Sequence, residues 1–150
     1  MWNAIADNVS SVVAPTDLVP LEEGSQQPFT DVVYFSDNYN GPICGATWHS
    51  SGSQFSDGLG GIAICAVENA NDCDQFWVFM DASFIDQVLG NDAEQIRGLV
   101  CHETGHTLGL RHPNVNINGA TTDTCVDNSL DGLMKDYISS HDTKHINDNY

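Results

Sequence analysis

The segment HETGHTLGLRH, from His102 to His112, is the most informative part of this 150-residue sequence. On a helix, His102 and His106 are four residues apart and project from one face, so both can bind the same metal ion. Gly109 can end the helix in a left-handed conformation, which lets the chain turn and bring His112 back to that ion. Glu103 is positioned to hold a metal-bound water as a general base. Three imidazoles and one open position are typical of a catalytic zinc site.

The residues before this stretch extend the helix that carries it. Asn91 and Asp92 offer an N-cap. The apolar residues that follow point in several directions around the axis, which is typical of a helix buried around most of its circumference. They are Ala93, Ile96, Leu99, Val100, Cys101 and Leu108. Residues 113–133, rich in Asn, Thr, Asp and Gly, are predicted to be irregular.

A last helix is predicted over about 141–149, with Ser139 or Ser140 as its N-cap. His141 and His145 are four residues apart on it and could bind a second metal ion. Exposed helix histidines are the favoured interpretation, because no carboxylate-rich pattern accompanies the pair.

Before the helix that carries His102 and His106, the residue composition predicts several short strands. Residues 31–35 (DVVYF), 62–67 (IAICAV) and 76–81 (FWVFMD) are rich in β-branched and aromatic side chains. Residues 17–21 are a weaker strand candidate. Residues 2–13 carry apolar side chains at helical spacing, which predicts an amphipathic helix.

The acidic net charge of the chain argues against nucleic acids and membrane surfaces as partners. Four Lys and Arg against 21 Asp and Glu give a net charge of -17, which repels phosphate backbones and anionic lipid. We therefore expect no nucleic-acid partner, no membrane partner and a monomeric chain. No signal peptide is visible, so we interpret the chain as a mature or trimmed domain. The acidic surface is typical of a secreted protein, while a saline habitat or bound Ca²⁺ stays an alternative.

HExxHxxGxxH with a methionine downstream resembles the signature of the metzincin clan of zinc endopeptidases. Met134, in DGLMKDY, corresponds to the Met-turn residue that forms an apolar floor beneath the zinc ligands in that clan. The segment that ends with His112 and Pro113 is similar to that of serralysins, whose motif commonly reads HTLGLxHP. The calcium-binding repeats of serralysins are missing from this sequence. The resemblance implies an α+β zincin fold with a twisted mixed β-sheet of about 4–5 strands, an active-site helix, a Met-turn and a C-terminal helix.

The same resemblance implies a single catalytic domain over 1–150, with an upper subdomain over about 1–109 and a lower one over about 110–150. Tyr137 lies three residues after the methionine, whereas astacins and serralysins carry a zinc-proximal tyrosine two residues after it. This side chain therefore either reaches the zinc or the oxyanion, or it packs against the protein, and packing is the favoured interpretation.

In the clan the substrate pairs with an edge strand by β-augmentation. The corresponding substrate-binding residues here are Gly60, Gly61, Ile62, Ala63 and Ile64.

Five cysteines, none in a Cys-x-x-Cys pair, allow two disulfides and one spare thiol, as expected in an oxidising compartment. Our preferred bridge joins Cys101 to Cys125, because it would fasten the lower subdomain to the active-site helix. Two unpaired buried thiols are the alternative at this position. A bridge between Cys65 and Cys73 is also possible.

The function that the resemblance implies is hydrolysis of peptide bonds in extended protein or peptide substrates, with one catalytic Zn²⁺ and Glu103 as the general base. An inactive zinc-binding relative that acts as a protein-binding module is the alternative. A structural, calcium-binding acidic module, with the histidine motif accidental, is a third possibility.

Overall fold

The computed structural model describes residues 14, 16, 31–37, 60–69, 72–113, 123–127 and 135–149. These residues form three strands and three helices, so the described chain is a mixed α+β protein, as predicted. The elements are β1 (Val32–Asp37), β2 (Gly61–Asn69), β3 (Asp72–Asp81), α1 (Ala82–Gln87), α2 (Ala93–Thr107) and α3 (Ser140–Asn147). The helix predicted over 2–13, the strand predicted over 17–21 and Met134 lie outside the described residues.

The chain divides into two compact units, with a boundary between Asn91 and Asp92. The first unit contains the sheet and α1, and the second contains α2 and α3. The predicted subdomain boundary near residue 109 falls inside the second unit.

The sheet of the first unit is mixed. Its described strands have the order β1-β3-β2, with β1 parallel and β2 antiparallel to the central β3. Among the described strands, β2 therefore lies at one edge, and it contains four of the five residues predicted to pair with a substrate. The fifth, Gly60, precedes the strand and its carbonyl accepts a hydrogen bond from the Asp81 amide at 2.9 Å.

One face of this sheet is built around Phe79, which is 4% exposed. Phe35 stacks on it, with ring centroids 4.9 Å apart. Ile62 is its cross-strand neighbour on β2, and Trp77 packs edge-on at a centroid distance of 6.2 Å. Burying such a ring stabilises the fold by about 2–3 kcal/mol. The β-branched and aromatic residues that predicted these strands therefore contribute to a packed sheet face.

The β2–β3 ladder is longer than predicted. The strands were predicted over 62–67 and 76–81, yet β2 continues to Asn69 and β3 begins at Asp72. A disulfide between Cys65 and Cys73, with Cα atoms 5.6 Å apart, crosses the two strands in this region. The cross-strand bond and the pairing of backbone groups hold polar residues in a ladder that their side chains alone do not favour.

Helix α1 was not predicted from the sequence. Its six residues are fewer than two helical turns, which is too short for apolar periodicity to be recognised. Phe84 and Ile85 are buried, and so is Leu89 just after the helix. Gly90 (φ 59°) and Asn91 (φ 57°) then turn the chain through two consecutive left-handed residues.

In the second unit, α2 begins at the N-cap predicted for it. One Asp92 carboxylate oxygen accepts hydrogen bonds from the amides of Glu94 (2.9 Å) and Gln95 (3.0 Å). Burial around most of the helix is confirmed, since ten of its fifteen residues are buried. They are Ile96, Gly98, Leu99, Val100, Cys101, His102, Glu103, Thr104, Gly105 and Thr107.

Helix α3 begins after Ser139, as predicted. The Ser139 hydroxyl and the Asp142 carboxylate form a reciprocal capping box. Ile146 of this helix joins the core of the unit, which contains Cys101, Leu110, Cys125, Val126 and Ile138. Within the described ranges, no helix combines the length and the apolar character needed to cross a membrane.

Candidate metal centre

The end of α2 brings three histidines together. Leu108 is the C-cap, and Gly109 follows it with a φ of 81°. The Leu110 amide donates to the Gly105 carbonyl at 3.0 Å, and the Gly109 amide donates to that of His106 at 3.1 Å. These two bonds define a Schellman motif, the helix end that glycine favours. The sharp turn predicted from Gly109 is confirmed, and it reverses the chain within a few residues.

The three imidazoles converge through their Nε2 atoms. His112 Nε2 lies 3.0 Å from His102 Nε2 and 3.1 Å from His106 Nε2. All three ligand atoms lie within 4.8 Å of one another, and among the described residues no other group of three potential ligands is this compact. Ligands at 2.0–2.1 Å from a tetrahedral ion are about 3.3–3.4 Å apart, so the spacing suits one metal ion.

Backbone carbonyls orient the two helical imidazoles. His102 Nδ1 lies 2.9 Å from the Cys125 carbonyl oxygen, and His106 Nδ1 lies 2.9 Å from that of Leu110. Since a carbonyl only accepts, each Nδ1 carries the proton and each Nε2 presents a lone pair. Carbonyl partners of this kind are the usual outer shell of metal-binding histidines. The sequence did not indicate them, because a backbone acceptor is available at every residue.

This tautomer assignment leaves more acceptors than donors at the centre of the cluster. The Nε2 atoms of His102 and His106 both present lone pairs, and His112 Nε2 can carry only one proton between them. Three nitrogens at about 3 Å therefore cannot be satisfied by hydrogen bonds among themselves. A shared cation would satisfy all three lone pairs, so the donor set fits a metal ion.

The electrostatics also favour neutral imidazoles. Burial, followed by the proximity of His106, lowers the pKa of His102 from 6.5 to about 4, although the Cys125 carbonyl acts in the opposite direction. The pKa of His112 is lowered by burial and by His106, against the attraction of Asp127. Because a metal binds only the unprotonated imidazole, these shifts keep the ligands ready for an ion at neutral pH.

Glu103 follows the first histidine on α2 and is 4% exposed. A helical neighbour projects about 100° further round the axis, so its carboxylate is beside the metal-binding face rather than on it. It is therefore not one of the three converging ligands.

The residues 123–127, which we call the 123–127 turn, pack against α2. Cys101 and Cys125 are at disulfide distance, with S–S 1.96 Å, and both are fully buried. This was the preferred pairing from the sequence. Val126 fills the space above Gly105, where an added Cβ would lie 2.5 Å from its Cγ1 atom. A side chain at residue 105 would therefore displace the turn.

Tyr137 is the remaining predicted site residue within the second unit. Its hydroxyl donates to Asp123 Oδ1 at 2.6 Å, and its side chain is 45% exposed. The hydrogen bond to Asp123 raises the pKa of the phenol. Met134 lies outside the described residues, and the predicted edge-strand residues belong to the first unit.

His141 and His145 are both exposed on α3, as favoured from the sequence. Their ring centroids are 6.2 Å apart. His145 Nδ1 lies 3.0 Å from the Asn149 amide nitrogen, and His141 Nδ1 lies 3.6 Å from an Asp142 oxygen. The pair has the spacing of the helical ligands at the metal centre but lacks a third histidine among the described residues.

No protein-family profile, curated protein or solved structure matches this chain.

Proposed function

We propose that this protein is a zinc-dependent endopeptidase that hydrolyses peptide bonds in extended protein segments. The observation that carries the proposal is the convergence of three Nε2 atoms from His102, His106 and His112. The resemblance of the surrounding motif to metzincins supports the reaction class.

Zinc is the metal that this ligand set suits best. Imidazole nitrogens bind Zn²⁺ well, whereas Mg²⁺ and Ca²⁺ prefer oxygen ligands. Three protein ligands are also the number found in catalytic zinc sites, since closed structural sites use four. The described part of the cluster supplies three, which matches the number of protein ligands in a catalytic site.

When bound, the ion would supply Lewis-acid chemistry, by activating water near neutral pH and by polarising the carbonyl of the scissile peptide bond. One carboxylate oxygen of Glu103 would accept the proton that this water loses. The same carboxyl group would then deliver the proton to the amine of the departing peptide. Its burial next to His102 excludes bulk solvent, which strengthens its interactions with charge that develops during the reaction.

The substrate proposed is an extended peptide segment. The β2 strand, with Gly61, Ile62, Ala63 and Ile64, lies at an edge among the described strands and offers backbone groups for β-augmentation. A secreted location is part of the proposal. Two cysteine pairs at disulfide distance favour an oxidising compartment.

Peptide cleavage by the zinc-loaded protein tests the proposal directly. A proteome-derived peptide library should be cut by the wild type, and Glu103→Gln should retain zinc while losing about 10²–10⁴-fold in turnover. One bound zinc without cleavage by the wild type would instead indicate the inactive, protein-binding relative. Binding of calcium alone would exclude both interpretations.

A further inference from the structure

The backbone of Cys125 is held in three ways. Its side chain is bonded to Cys101, its amide donates to the Tyr137 carbonyl at 3.0 Å, and its carbonyl accepts from His102 Nδ1 at 2.9 Å. Its neighbours Thr124 and Val126 are both 1% exposed, so the middle of the 123–127 turn is buried. One residue therefore links the first ligand of the metal centre to a covalent bond and to a second backbone segment.

We propose that Cys125 is a positioning residue for the metal centre. The Cys101–Cys125 disulfide holds its carbonyl against His102, which fixes the Nδ1–H tautomer and directs the Nε2 lone pair to the metal. This inference rests on the proposed function only in taking His102 as a metal ligand, and it concerns metal affinity rather than cleavage.

The geometry explains why a covalent bond is useful here. Cys101 immediately precedes His102 on α2, so the disulfide joins the turn to the helix one residue from the ligand that the turn orients. The two linked residues are separated by 24 positions, and the covalent bond closes that loop independently of a metal ion. The carbonyl therefore need not be brought to the imidazole when the ion arrives, and the site is preorganised.

Packing between Val126 and Gly105 supports the same arrangement. Gly105 lies between the two helical ligands, where the missing side chain lets the turn approach the helix. A Cβ at Gly105 would meet Val126 Cγ1 at 2.5 Å, so Gly105→Ala must move the turn or the helix. Val126→Ala removes the γ atom that causes the clash.

The chain contains a matched control for the disulfide. Cys65 and Cys73 form the other pair, which lies on the β2–β3 ladder in the first unit. Removing either pair costs folding free energy, because each disulfide constrains the unfolded chain. Only Cys101 and Cys125 adjoin a histidine of the cluster.

The first experiment measures the zinc affinity of two double variants, each of which lacks one disulfide, by competition with a chromophoric chelator. Cys101→Ala with Cys125→Ala should weaken zinc binding by about 10–100-fold. Cys65→Ala with Cys73→Ala should stay within a factor of about three of the wild type. Equal affinities in both pairs and the wild type, or an equal loss in both pairs, would overturn the assignment.

A second measurement needs no variant and no metal. Long-range ¹H–¹⁵N correlation spectra of the metal-free wild type should show His102 as the Nδ1–H tautomer. The Cys101→Ala/Cys125→Ala protein should show a mixture of tautomers. A predominantly Nε2–H His102 in the wild type would contradict the proposal even if the variants fail to fold.

A third test uses the packing contact. Gly105→Ala should weaken zinc binding, and adding Val126→Ala should restore part of the loss, which shows coupling between the two positions. Purely additive losses would contradict a role for the turn.

A protein that binds zinc with these properties but cleaves no peptide would refute the endopeptidase proposal and leave the positioning role of Cys125 intact.

Discussion

His106 Nδ1 lies 2.9 Å from the carbonyl oxygen of Leu110, the residue that follows the helix-ending glycine. The Leu110 amide in turn donates to the Gly105 carbonyl, so both backbone groups of this residue bond to the last turn of α2. Leu110 thus orients His106 through its carbonyl. It is also the first residue after the turn at Gly109 that brings His112 back to the other two histidines. The helix end therefore helps to position the histidine cluster, and we expect its conformation to affect metal binding.

Replacing Gly109 by alanine tests this dependence. A non-glycine residue at a φ of 81° costs about 1–2 kcal/mol, so Gly109→Ala should lower the free energy of unfolding by that amount. It should also weaken zinc binding, because strain at this position shifts Leu110 and His112. Urea unfolding and a zinc titration measure the two effects.

Gly90 supplies the control for this prediction. It also has a positive φ, 59°, and a Cβ at either glycine would meet nothing within 4 Å. Gly90→Ala should therefore cost similar stability without changing zinc affinity. If both variants bind zinc as the wild type does, the Schellman end of α2 has no part in the site.

His106→Ala should abolish retention of the metal on dialysis, because it removes one of three converging ligands. His145→Ala is the matched control, since His141 and His145 repeat the four-residue spacing on α3. That variant should retain one zinc per chain by elemental analysis. A second equivalent of zinc in the wild type that disappears in His145→Ala would show that the surface pair also binds metal.

The stability of the metal-free protein should fall in mild acid. The pKa of His102 is about 4 in the folded state, against its ordinary value of 6.5 in an unfolded chain. The unfolded chain therefore binds more protons between these pH values, and the free energy of unfolding decreases as the pH falls through that window. The total for His102 is about 3 kcal/mol, and the lowered pKa of His112 acts in the same direction.

Urea unfolding of the metal-free protein at several pH values measures this effect. His102→Asn should flatten the dependence, since asparagine does not titrate. A wild-type free energy of unfolding that is constant or rises from pH 6.5 down to about 4 would be incompatible with a buried, neutral His102.

Tyr137→Phe separates the two roles considered for that residue. We predict that the variant retains zinc and most of its turnover, because the phenol donates to Asp123. Loss of this hydrogen bond should cost about 0.5–1.5 kcal/mol of stability at most. A fall of about 10²–10³-fold in kcat would instead identify the phenol as an oxyanion donor.

The parts of the site that follow from local geometry could be predicted from the sequence. His102 and His106 share a helix face because of their spacing, and Gly109 turns the chain because of its backbone freedom. Each helix had two N-cap candidates from the sequence, Asn91 or Asp92 and Ser139 or Ser140, because such side chains bond to nearby amides; the structure selects Asp92 and Ser139. Each of these predictions involves residues only a few positions apart.

The remaining features depend on distant contacts or on backbone atoms. The Cys125 carbonyl reaches His102 across 23 positions, and nothing in a cysteine side chain indicates which imidazole its own carbonyl will meet. Both disulfide pairings were considered, but loop-closure entropy varies too slowly with length to select between pairings. Helix α1 was too short to recognise, and the extended β2–β3 ladder includes a cross-strand disulfide whose pairing the sequence left open.

X-ray absorption at the zinc edge, on the protein loaded with one equivalent of zinc, tests whether the three histidines share one ion. We predict about four nitrogen or oxygen neighbours at 2.0–2.1 Å, with the multiple-scattering pattern of three imidazoles. A sulfur neighbour at about 2.3 Å, or scattering from only one or two imidazoles, would show that His102, His106 and His112 do not hold the ion together.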